Sequence, residues 1–118
     1  MLTAYSAPVV WLAIILGGIA GCVATAFVAN ALKGVPVKAV AGNWAKHVWS
    51  IIFMIPVPLL IGLPAGWVIA FLWLVLAPTI ASKAHFGPKD LPFMTLCTFH
   101  AGFAVVGLLV YALVMAAF

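Results

Sequence analysis

Three histidines, two cysteines and one aspartate carry most of the chemical potential of this 118-residue sequence. Cys97 and His100 are three residues apart, a spacing that puts both on one face of a helix. Imidazole and thiolate together can hold copper, zinc or iron. His100 is therefore the candidate cofactor ligand, and His100 with Cys97 the candidate metal pair. The competing reading is a His100 ring hydrogen-bonded to a neighbouring helix or subunit. A membrane haem of the b type asks for two histidines at matching depth, and only His100 lies deep in an apolar run, with His47 and His85 near polar segments. Asp90 is the sole carboxylate side chain, which excludes paired-carboxylate acid/base chemistry and two-metal sites. Cys22 and Cys97 both sit inside apolar runs and read as small buried hydrophobes. No Cys-x-x-Cys pair occurs.

The backbone offers a second kind of chemistry. Pro56 and Pro58, in the run MIPVPLL, each remove a helical hydrogen bond and push the preceding residue away from helical geometry. The carbonyls of Ile52 and Met54 lose their donors. Backbone freed at membrane depth must be satisfied by protein, water or an ion, and broken helices of this kind build binding sites in many transporters. Pro78 frees the Leu74 carbonyl and reads as a kink.

The elements that must position these groups follow from composition. Hydrophobic types make up 69% of the chain and charged types 5%, against roughly 45–50% and about 25% in a soluble domain. With five lysines, no arginine and one acid, the chain cannot clothe a water-soluble globule. The expected fold is an all-α integral membrane protein with no soluble domain, a single membrane domain over 1–118. The net charge of +4 is no nucleic-acid footprint, since it forms no basic face and includes no arginine.

Four spans are expected, at about 8–31, 47–63, 67–83 and 93–117. The first run, from Pro8 to Ala31, is uncharged and reaches about 36 Å as a helix, enough for a hydrocarbon core of roughly 30 Å. It lacks the basic start and short apolar stretch of a signal peptide, so it is expected to remain as a membrane helix. The run from His47 to Ser82 would be about 54 Å long as one helix, too long for one crossing, and the turn signal Leu63-Pro64-Ala65-Gly66 divides it. With four spans, the connections 32–46 and 84–92 share one side, and all five lysines sit on that side or at its border. A lysine excess marks the cytoplasmic face, so both termini are expected outside, with the chain in a bacterial inner membrane. A three-span alternative, with part of 47–82 re-entrant, splits the lysines between the two sides. Tyr5, Trp11, Trp67 and Tyr111 fall at the outer boundary and Trp44, Trp49 and Phe86 at the inner one, where amphipathic rings settle. Trp73 alone falls mid-span.

The first helix carries two adjacent ridges of small residues, including Gly17, Gly21 and Thr25 on one and Gly18 and Cys22 on the other. Between helices in lipid, close van der Waals approach supplies the attraction, and small residues permit it. The ridges serve either packing within the chain or docking of another subunit or another copy. The leading functional expectation is a small non-catalytic subunit of a larger membrane complex, of respiratory, photosynthetic or oxidase type. It would pack and stabilise partner helices, with integral membrane subunits or copies of itself and lipid as partners. The alternatives are a homo-oligomeric transporter or channel using the broken second helix, and a haem- or metal-binding electron-transfer subunit using His100. Apart from lipid, the residues specify no cofactor.

Overall fold

The computed structural model describes residues 2–86 and 91–118, without the side chains of Leu2, His85 and Phe86. Residues 87–90 of the second lysine-bearing connection, with Lys89 and Asp90, therefore lie outside the described residues, as does the side chain of His85.

Every regular element among the described residues is helical. A short 3₁₀ turn over Leu2–Ser6 leads into α1, Pro8–Lys33. Pro8 sits in the first turn, where a missing N–H costs nothing. The helix ends on Gly34, which adopts φ 66° and returns its N–H to the Asn30 carbonyl at 2.9 Å. That left-handed cap suits glycine because no Cβ opposes it. The Asn30 side-chain amide donates to the Val35 carbonyl and holds the chain as it turns.

A single helical turn, α2 (Val37–Ala41), occupies the first lysine-bearing connection. Then α3 runs from Trp44 to Met54 and α4 from Val57 to Leu60. The second helix thus starts three residues earlier than the sequence suggests, because the Asn43 side chain accepts the Ala45 N–H and caps it. It breaks at Ile55–Pro56, where the two prolines exclude continuous helical bonding. The stretch Trp44–Leu60 is apolar but shorter than the other candidate spans. A reversal in which Ala65 takes a left-handed φ of 57° leads into α5, Gly66–Ala81, which continues as a wider π-type turn over Ser82–Phe86. The last helix, α6, covers Phe93–Ala117.

Three helices are long and apolar enough to cross a membrane: Pro8–Lys33, Gly66–Ala84 and Phe93–Ala117. The molecule is 40 Å long and 26 by 21 Å across, comparable with the roughly 40–45 Å of a whole bilayer. Large apolar side chains such as Leu12, Leu16, Phe27, Val68, Leu72 and Leu109 lie on its outside, as a lipid environment requires.

The core forms where α1 meets α6 along most of their length, with α3 against α1 and α5 against α6. The main cluster includes Ile14, Met54, Val57, Leu74, Phe103 and Tyr111. Both small-residue ridges of α1 are buried at these contacts. A Cβ on Gly17 would stand 2.9 Å from the Gly107 carbonyl oxygen, and one on Gly18 would stand 2.8 Å from the Ile51 Cα. Only hydrogen fits at either place, so α6 and α3 seat directly on the backbone of α1. Thr25 directs its hydroxyl to the Gly21 carbonyl at 2.9 Å.

Candidate functional site

Protein donors reach three carbonyls at the helix break. Ile55 donates its N–H to the Ile52 carbonyl at 3.1 Å, a tightened turn that supplies one of the two carbonyls the prolines deprive. The Tyr5 hydroxyl reaches from the 3₁₀ turn to the Ile55 carbonyl at 2.5 Å. The Trp73 indole N–H reaches from α5 to the Phe53 carbonyl at 2.8 Å. Two amphipathic side chains, from elements on either side, thus hydrogen-bond to backbone around Pro56. Trp73 sits mid-span for this reason. The sequence showed the deprived Ile52 and Met54 carbonyls but not the bonds to Ile55 and Phe53, because Tyr5 is fifty positions from its acceptor and Trp73 twenty.

At the lysine-bearing end the arrangement is different. A partly open cavity of about 120 Å³ lies between α1, α3, the end of α5 and the start of α6. Its apolar wall includes Trp49, Phe53, Phe99 and Phe103, and its polar wall is formed by Cys22, Thr25, Lys46, Ser50, Ser82 and His100. Cys22, Ser50, Ser82 and His100 are buried, Thr25 and Lys46 partly so.

His100 is oriented by Thr79. The Thr79 hydroxyl lies 2.8 Å from His100 Nδ1 and 2.7 Å from the Val75 carbonyl oxygen one turn back. A carbonyl can only accept and a hydroxyl has one proton. With that proton given to Val75, the imidazole must donate Nδ1–H to the threonine oxygen. In the neutral ring Nε2 then carries the lone pair. This is the arrangement by which a second partner fixes a histidine tautomer and aims its other nitrogen.

Ser50 repeats the pattern. Its hydroxyl donates to the Lys46 carbonyl at 2.8 Å. Thr25 has likewise given its proton to backbone.

Cys22 and His100 line the same cavity. Cys97 packs beside the main apolar cluster and is not among the cavity's lining residues. Both cysteines are free thiols. His47 donates Nε2–H to the Ala41 carbonyl at 2.6 Å, and its buried Nδ1 has no partner among the described residues. No three of His, Cys, Asp and Glu converge as a metal-ligand group among the described residues. The sequence singled out His100 and Cys22 separately. It could not pair them, since their proximity depends on how α1 and α6 cross.

The chain is thus an all-helical protein with three helices of membrane-spanning length and one shorter apolar helix. Comparison with protein-family models, curated proteins and solved structures finds no match.

Proposed function

We propose that the chain is a small non-catalytic subunit of a larger membrane complex, packing against and stabilising partner helices. In this reading it crosses a bacterial inner membrane four times, with both termini outside and the lysine-bearing connections in the cytoplasm. The observation that carries it is the flank of α4 and α5. An open groove of about 640 Å³ runs there, lined by Leu60, Leu72, Trp73, Leu76 and Ile80 and floored by Ala77, Ala81 and Ala84. The α1 ridges are taken up inside the chain, so these alanines, spaced four and three apart, are the outward small residues over which a partner helix can come close.

Purification in mild detergent followed by mass analysis tests the reading. A second integral membrane polypeptide is expected to travel with the chain and to be released by Ala81→Leu while the chain itself stays folded. A single homo-oligomer with no other polypeptide, unchanged by Ala81→Leu, would overturn it. A transporter reading drew its support from the broken helix. There Trp73 and Tyr5 bond to the Phe53 and Ile55 carbonyls, so the break offers less free backbone than the prolines alone would leave.

A further inference from the structure

The cavity at the lysine-bearing end has a hydrogen-bonding inventory that selects a ligand. Ser50, Thr25 and Thr79 have all committed their protons to backbone carbonyls. His100 has committed Nδ1–H to Thr79. What remains among the lining residues is mixed. Lys46 and Ser82 can donate, while His100 Nε2 and the Thr25 oxygen can only accept.

Each simple ligand class meets this inventory differently. A carboxylate or phosphate has no hydrogen for the acceptors and would turn its lone pairs on them in a mostly apolar space. An ammonium ligand would meet Lys46. A wholly apolar molecule would leave a buried imidazole nitrogen without a partner, which is costly in a low-dielectric site. A hydroxyl group fits both sides, because it donates one proton and accepts through its oxygen. The rest of the wall specifies the body attached to that hydroxyl. Phe53, Phe99, Phe103 and Trp49 present aromatic surface, and rings pack on one another in offset or edge-to-face contacts. The volume of about 120 Å³ is in the range of an engineered apolar cavity of about 150 Å³ that takes up benzene.

We infer that this cavity is a binding site for a single phenolic ring, whose hydroxyl donates to His100 Nε2 and accepts from the Lys46 ammonium. The aromatic walls hold the ring, and Thr79 acts as a positioning residue that fixes the imidazole tautomer. The inference stands apart from the partner-helix reading, since the α5 groove and this cavity are lined by different residues.

Fluorine NMR of 4-fluorophenol, titrated into the detergent-solubilised full-length chain, tests it. Empty micelles correct for partition. A saturable shift is expected with 4-fluorophenol and none with 4-fluorobenzoate. Fluorobenzene should bind about tenfold more weakly than the phenol, the worth of one buried hydrogen bond. His100→Phe should abolish the saturable component. Thr79→Val keeps the shape but removes the acceptor for Nδ1–H, and should weaken binding about tenfold, with Thr79→Ser restoring it. Circular dichroism of each variant separates lost binding from lost fold. Preference for 4-fluorobenzoate, equal binding of phenol and fluorobenzene, or 4-fluorophenol binding unchanged in both Thr79→Val and a folded His100→Phe would overturn the inference.

Discussion

The break at Pro56 and the cavity at His100 set the same physical problem, polar groups held away from water among apolar helices, and resolve it in opposite ways. At the break, Ile55 N–H, Tyr5 and Trp73 bring donors to the Ile52, Ile55 and Phe53 carbonyls. At the cavity, hydroxyls and imidazole are paired with one another and with backbone. His100 nevertheless lines open volume. Irregular backbone therefore marks a stabilised joint here, while the regular helical stretches around His100 hold the room for a ligand.

The comparison is broken most severely by bulk at the seam joining the two regions. Gly18→Leu forces a side chain onto the Ile51 Cα, where backbone cannot retreat, and is expected to yield no folded chain in mild detergent by size-exclusion chromatography. Gly21→Leu meets Phe103, whose ring and carbonyl oxygen both lie 3.0 Å from an added Cβ. It should leave a folded but strongly destabilised protein, by about 1–3 kcal/mol.

Smaller changes sharpen the contrast. Tyr5→Phe removes the donor to Ile55 without changing shape and should cost about 1–2 kcal/mol of stability in denaturant titrations, with no effect on 4-fluorophenol binding. Trp73→Phe should behave alike.

Alkaline pH probes the same joint. Burial raises the pKa of the Tyr5 hydroxyl above its ordinary value of 10.0. The folded state then holds this proton more tightly than the unfolded state, so the associated stability is complete below pH 10 and is lost as the pH rises beyond it. Following thermal unfolding from pH 9 upward should show a decline that Tyr5→Phe flattens. At the bottom of the scale, Leu32→Ala, at a side chain 53% exposed, should change stability by less than about 0.5 kcal/mol.

Much of the architecture was legible because it rests on local signals. The starts of α1 and α6 follow from Pro8 and from Pro92, the residue just before the last helix. The division of the long second apolar run follows from Leu63-Pro64-Ala65-Gly66. The early start of α3 was missed although its signal, Asn43, was present, because Trp44 and Lys46 resembled a polar connection. The site was legible only in its parts. Cys97 lay three residues from His100 and drew attention by helical spacing, whereas Cys22 shares a cavity with His100 only because α1 packs against α6. Thr79 was invisible as a partner for His100, since nothing in a sequence relates the last turns of one helix to the early turns of another. The same limit hid the Tyr5 and Trp73 donors, while the deprived carbonyls themselves followed from proline covalent structure.

The bond from Tyr5 to Ile55 also imposes an order on assembly. During synthesis the phenol emerges long before the carbonyl it will serve, and for that interval both must be kept hydrated or otherwise engaged. A tyrosine resting at the aqueous edge can wait there at little cost. The exposed carbonyl of a half-inserted hairpin cannot. Closure of this joint is therefore a late event, a latch that fastens the opening segment only after the proline-bearing helix has arrived.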